Sequence, residues 1–383
     1  MFHEMKRKLI ALLILSLFIW VACNEDNVVE INDMAEVGVT FGGDQIDIGY
    51  FGHQTEDGGF IITGLTQSYA TSGSDIWLIK TDSQGNVQWD YTYGGVGEDF
   101  GSSVRETENG GFIIVGSMLV KTQSQGSEDW INEEVSGNAV QTTIDGGYII
   151  SGTLSDDISL IKTDSNGNIV WSKAYDGKNF DEGRSVVQTS DNGFIITGCT
   201  DCNSYSDVIL IKTDSAGDTL WTRTYGGYDN EFGNYVQQTT DGGYIITGQT
   251  QSFGNGYSDI WLIKTDSAGD TLWTRTFGGE SLEVGSCVQQ TTDGGYIITG
   301  INFSLVLPDH GDVWLVKTDT LGNEIWNHTY GGVGLDWGRS VQQTTDGGYV
   351  VVGWREVVLG GQSDSDVWLI LTDPEGNADY LGQ

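Results

Sequence analysis

Proline is almost missing from this 383-residue chain, with 2 residues, and histidine and cysteine number only 4 each. Two prolines exclude a proline-rich linker, and they exclude collagen despite 56 glycines. Basic side chains are scarce as well: 17 against 54 acidic ones, a formal charge of −37. That deficit excludes nucleic acid, whose phosphates demand Lys and Arg, and an anionic lipid surface as an electrostatic partner. No apolar run reaches the roughly 20 residues that a membrane-spanning helix needs. HExxH, GxSxG and GxxxxGK are absent. His53, His310 and His328 are scattered without metal spacing. What the chain has is 13 Trp, 16 Tyr and 13 Phe, too many rings for a disordered acidic tail.

Lys6, Arg7 and Lys8 precede an apolar run over residues 9–21, broken only by Ser16. A basic start followed by a short apolar stretch reads as a secretory signal over residues 1–22. The run ends in Trp20-Val21-Ala22-Cys23. This resembles the lipobox of bacterial lipoproteins, although Trp20 stands where leucine is usual. The resemblance implies export, cleavage before Cys23, and lipid on Cys23 as the sole membrane attachment, at the outer membrane or cell surface. Residues 23–36 then read as a lipidated tether, and residues 37–383 as one domain. In an oxidising compartment Cys199 and Cys202 are a candidate disulfide, and Cys287 is a candidate buried thiol.

The domain is one motif repeated. Asp241-Gly242-Gly243-Tyr244-Ile245-Ile246-Thr247-Gly248 has relatives starting at Asp57, Asn109, Asp145, Asp191, Asp293 and Asp346. A second signature, Trp261-Leu262-Ile263-Lys264-Thr265-Asp266, then Gly269 and Trp273, accompanies nearly every copy, and only a remnant accompanies Asn109. Each unit reads as four strands joined by glycine turns, with strands two and three apolar on both faces. Seven such units predict an all-β, seven-bladed β-propeller of four-stranded antiparallel blades. Val39-Thr40-Phe41-Gly42-Gly43 looks like the end of a fourth strand, so the N-terminal segment is expected to complete the last blade and close the ring.

The Asp266…Gly269…Trp273 spacing resembles the tryptophan-docking repeat of quinoprotein (PQQ-like) propellers. Matching triplets are Asp82, Gly85, Trp89; Asp164, Gly167, Trp171; Asp214, Gly217, Trp221; and Asp319, Gly322, Trp326. The turn is one residue shorter than in that family. The repeats also resemble an exported lipoprotein family, some of whose members carry endoglucanase labels.

In such a ring, the loops from strand two to strand three share one face with the links between blades. These loops vary here, at residues 65–74, 200–206, 249–258, 301–311 and 354–365, so binding is expected on that face. The same face carries two carboxylate series. Asp47, Asp99, Asp181, Glu231, Glu283 and Asp336 come after the Gly-Gly pairs; Asp75, Asp157, Asp207, Asp259, Asp312 and Asp366 precede strand three. One reading is a site for calcium or another hard cation at the channel mouth. The other is scaffold duty, because a residue repeated in every blade serves every blade. Ligand binding is sought where repeats break: Trp354, Arg355 and Glu356 in one loop, His310 in another, and Trp337 and Arg339, with Arg184, where sister units differ. The expected partner of this monomer is an envelope protein or a polysaccharide, with no cofactor. A glycan hydrolase of endoglucanase type, and an outer-membrane assembly factor, are the alternatives.

Overall fold

The computed structural model describes residues 37–175, 179–303, 310–359 and 362–378. These form a seven-bladed β-propeller: seven sheets, each with four antiparallel strands running from the axis outward, and no helix among the described residues. The innermost strands are Asp47–Gln54, Gly101–Glu106, Ala139–Thr142, Glu182–Gln188, Glu231–Gln238, Glu283–Gln290 and Asp336–Gln343, of blades 1 to 7 in chain order. The outermost strand of blade 7 comes from the other end of the domain. Val39–Phe41 pairs antiparallel with Gln362–Thr372, placing Val39 opposite Leu369 and Phe41 opposite Val367. Blade 2 is the short one, its second and third strands (Phe112–Gly116 and Leu119–Thr122) joined by a tight hairpin.

The Asp-Gly-Gly turns explain themselves chemically. Asp241 Oδ1 accepts from the Gly243 amide at 3.0 Å and from the Thr239 hydroxyl at 2.6 Å. Gly242 takes φ +82°, a conformation glycine adopts without steric cost. The buried Lys264 ammonium reaches back to Asp241 at 2.9 Å and to the Thr265 carbonyl at 2.8 Å. Asp57–Lys80, Asp145–Lys162, Asp191–Lys212 and Asp293–Lys317 repeat the pair. Five of the ten lysines are therefore occupied in holding turns.

Second and third strands are buried along nearly their whole length, as in Tyr244–Thr250 and Asp259–Thr265. They are sandwiched because blades stack face to face: Ile195, Val208 and Leu210 of blade 4 pack with Val236, Tyr244 and Trp261 of blade 5. Tryptophan finishes six of the seven junctions. Trp221, on the outermost strand of blade 4, lies over Gly269 in the turn of blade 5 and 6.0 Å from the Tyr244 ring. Trp171, Trp273 and Trp326 repeat this against Phe194, Tyr296 and Tyr349. Val39 takes the tryptophan's place between blades 7 and 1, against Gly85.

A chain of amide bonds ties the blades together at the turn end of the channel. The last residue of an innermost strand accepts from a turn amide of the preceding blade: Gln188 from Ile144, Gln238 from Ser190, Gln290 from Thr240 and Gln343 from Thr292. Gln54 accepts from Thr345 at 2.9 Å, carrying the chain from blade 7 to blade 1.

Candidate functional site

The central channel is lined by the innermost strands, so what each strand turns inward decides what the ring can hold. Six of the seven carry a β-bulge at the same point, just after a glycine: between Gly49 and Phe51, Gly101 and Ser103, Gly183 and Ser185, Gly233 and Tyr235, Gly285 and Cys287, and Gly338 and Ser340. A bulge leaves one residue outside the ladder and re-aims its side chain. Those residues are Tyr50, Ser102, Arg184, Asn234, Ser286 and Arg339. With Asn138 of blade 3 they line a chamber of about 570 Å³. Three residues further along, His53, Arg105, Gln141, Val187, Gln237, Gln289 and Gln342 line a narrower space of about 300 Å³, which shares Arg105 with the chamber.

The chamber belongs to the variable-loop end. Innermost strands begin there, opposite the ends of second strands, as Glu231 is opposite Thr250 and Asp47 opposite Thr66. Its lining adds aromatic faces from Phe51, Phe100, Tyr235 and Trp337 and, among the described residues, includes no Asp or Glu. Arg339 stacks 4.0 Å from the Trp337 centroid and 5.7 Å from that of Tyr50. Arg105 lies 4.3 Å over Phe51. Arg184 is ion-paired to Glu182 at 2.8 Å and donates to Asn234 Oδ1 at 2.7 Å. Burial lowers the Arg339 pKa to about 10, with Tyr50 acting in the opposite direction. Burial, with the nearby charge of Arg105, lowers His53 to about 3, so it is neutral at physiological pH.

Of the residues singled out by sequence, Trp337 and Arg339 line the chamber. Trp354, Arg355 and Glu356, expected in a loop, lie instead in the strand Tyr349–Leu359, which pairs residue for residue with Gln362–Thr372. The valines after them favour extended backbone, so the hairpin lengthens where sister blades loop out. Trp354 sits opposite Trp337 in register, its indole nitrogen buried without an acceptor. Arg355 stacks 5.1 Å over Trp368, and Glu356 accepts from the Leu335 amide at 2.9 Å. His310 Nδ1 accepts from the Gly334 amide at 3.3 Å. The rim of blades 6 and 7 therefore gathers Arg355, Glu356 and His310 apart from the chamber lining. Arg105, Tyr50, Tyr235, Asn138 and Asn234 went unread. Setting the seven innermost strands in one column brings Tyr50, Asn138 and Asn234 to one position, directly after the repeated glycine, where the residue changes between Tyr, Ser, Asn and Arg; Arg105 and Tyr235 stand at other positions of the column.

Carboxylates of the first series bond turn amides. Asp47, Glu231, Glu283 and Asp336 are buried and accept from the Gly43, Gly227, Gly279 and Gly332 amides at 2.8–3.0 Å. Partners from the second series crowd them across the glycine before each of these, Asp259 and Glu283 about Gly278 for example. Burial raises Asp207, Asp259, Asp312 and Glu283, and takes Asp336 to about 6. Cys199 and Cys202 are disulfide-bonded, Cys287 is a buried free thiol, and Cys23 lies outside the described residues. Glu182, Cys199 and Cys202 place ligand atoms within 4.8 Å of one another, but the sulfurs are joined and Glu182 serves Arg184. A quinoprotein metal site needs oxygen ligands beside its cofactor; the chamber lining offers no carboxylate, so that chemistry does not fit it.

No protein-family model matches the sequence, and no curated protein matches it. Solved structures do match in fold. The Chaetomium thermophilum Sqt1 bound to the N-terminus of ribosomal protein L10 is 11% identical, with TM-score 0.52, over 83% of this chain and 98% of that one. The Neurospora crassa Pan2 WD40 domain is 12% identical, with TM-score 0.52, over 86% and 91%. The extracellular domain of a one-component system from B. thetaiotaomicron is 12% identical, with TM-score 0.53, over 88% of this chain and 40% of that one. Identities this low establish the β-propeller fold alone.

Proposed function

We propose that this protein is a binding module, exported and held at the envelope by lipid on Cys23, which receives part of an envelope protein or polysaccharide in the channel chamber. One observation carries the reading. A scaffold repeated almost unchanged in every blade presents at one register a ring of seven side chains of four kinds, one Tyr, two Ser, two Asn and two Arg, and that ring lines the end where the loops also vary. A purely structural channel has no need of such differences. The chamber falls within the size range of ligand sites, roughly 300–1,000 Å³. The fold neighbour that holds the N-terminus of a ribosomal protein supports a partner-binding role. The chamber gives a glycan hydrolase no support, because its lining holds no pair of acids to act as acid and nucleophile or base.

Ser102 is a bulge residue lining the chamber, so Ser102→Trp fills the cavity. Ser83→Trp, on an exposed turn at the far side of the ring, is the control. Affinity capture from detergent-solubilised envelopes should yield a partner with the parent protein and with Ser83→Trp, and lose it with Ser102→Trp. Equal capture by all three would refute the chamber as the binding site. The anchor is tested separately: Cys23→Ser should abolish incorporation of labelled fatty acid and release the protein from membranes.

A further inference from the structure

The charge of the chamber is opposite to that of the molecule. A chain with 54 acidic and 17 basic side chains lines this cavity with three arginines and, among the described residues, no carboxylate. Arg184 is already neutralised by Glu182. Arg105 and Arg339 have no ion-pair partner among the described residues. Arg339 makes no hydrogen bond to a described residue either, and its Nε is buried without an acceptor. Arg105 donates to a neutral group, the Val104 carbonyl at 2.8 Å.

Bonding around the ring shows where an occupant belongs. From blade 3 to blade 7 the neighbours satisfy one another. Asn138 donates to the Gly183 carbonyl at 3.0 Å, Arg184 to Asn234 at 2.7 Å, Asn234 to the Gly285 carbonyl at 2.8 Å, and Trp337 to Ser286 at 2.9 Å. The chain of bonds stops at the arc formed by blades 7, 1 and 2. There the two uncompensated guanidiniums lean on consecutive residues of blade 1, Arg339 near Tyr50 and Arg105 over Phe51. The same arc holds Ser103 Oγ and His53 Nδ1, both buried without partners.

We propose that this arc is a carboxylate-recognition site and that the ligand is an acidic sugar unit, its carboxylate held by Arg339 and Arg105 and its ring set among the aromatic and amide side chains of the chamber. The proposal rests on the binding role argued above and names the ligand class. Removing a guanidinium from water without a counter-charge is costly, and an anion offsets that cost. The cavity is too large for an isolated ion. Asn138, Ser102 and Ser286 offer hydroxyl-matching polar groups, while Tyr50, Phe100 and Trp337 offer ring faces. That mixture matches a polyhydroxylated ring and wastes itself on an apolar side chain.

Calorimetric titration of the full chain with tri-galacturonate tests this, beside its methyl ester, neutral galactotriose, a Glu-rich peptide and inorganic phosphate. Tri-galacturonate should bind, more weakly at higher salt. Esterification, Arg339→Gln and Arg105→Gln should each weaken it about tenfold or more, the loss expected for a charge-assisted hydrogen bond. Esterification needs no variant, so misfolding cannot mask the result. Arg339→Met should raise the thermal midpoint while losing binding, whereas a merely structural arginine would lower it. No binding of tri-galacturonate at millimolar concentration, equal binding of the ester, or stronger binding of the peptide or of phosphate would overturn the proposal. If Ser102→Trp still abolished capture of the envelope partner in that case, the chamber would stand as a binding site and only the sugar assignment would fall.

Discussion

Alanine at Gly269 and at Gly242 should have unequal costs, although the two glycines share one backbone conformation, φ +79° and +82°. A side chain in that left-handed region costs roughly 1–2 kcal/mol, and alanine recovers about 0.4–1 kcal/mol by restricting the unfolded chain. That net loss of about 1 kcal/mol is common to both variants. Their surroundings differ. A Cβ at Gly242 meets nothing within 4 Å, whereas one at Gly269 would lie 2.7 Å from Trp221 Cζ3 and 2.9 Å from Arg223 Cγ. Trp221 cannot withdraw without giving up its place beside Tyr244, 6.0 Å between centroids. Overpacking of this kind adds about 1–3 kcal/mol. Gly269→Ala should therefore be the less stable by about that increment, read from guanidinium unfolding midpoints at matched slope. Agreement between the two variants within about 0.5 kcal/mol would show that tryptophan docking contributes no stability of its own.

Stability should trace a bell against pH. Burial pushes Asp191 up, but hydrogen bonds from Thr189, Lys212 and the Gly193 amide outweigh it and hold the carboxyl at about 2, below its ordinary 3.8. Asp57, Asp241 and Asp293 behave alike, so their contribution is present above pH 4 and is lost as pH falls toward 2. Asp336, raised by burial to about 6, works the other way: its penalty is present at neutral pH and is relieved as pH falls through 6. The thermal midpoint should thus rise from pH 7 to about 5 and fall below 4, with Asp336→Asn flattening the upper limb alone; a midpoint that falls steadily from pH 7 downward would contradict this. Gln343 accepts from Thr292, donates to the Gly347 carbonyl at 3.3 Å and closes a blade junction. Gln343→Ala should cost about 1–2 kcal/mol by thermal unfolding, and an unchanged midpoint would show that the chain of amides carries no load.

The architecture was legible because its causes are local and repeated. Asp241-Gly242-Gly243 dictates a turn, and Tyr244 to Gly248 can only be a strand buried on both faces, seven times over. The chamber was not legible for the complementary reason. A bulge shifts the alternation of inward and outward positions by one residue, but over a stretch this short nothing in Gly338-Arg339-Ser340 announces that Arg339 leaves the ladder while Ser340 stays in it. Rarity pointed to Trp337 and Arg339, which line the chamber. It pointed to Trp354, Arg355 and Glu356 as a loop, where valines carry the strand onward to Leu359. Arg105 belongs to none of the repeat signatures, and it stacks on Phe51 of the neighbouring blade.

The six bulges have a combinatorial consequence. A residue that contributes no rung to its sheet can be exchanged without disturbing strand pairing, so recognition and folding are written at separate positions along one short stretch. The seven places at the mouth of the channel act as interchangeable sockets. Sequences that keep the glycine before each socket and vary only the socket residue itself should share this wheel while answering to quite different chemical signals.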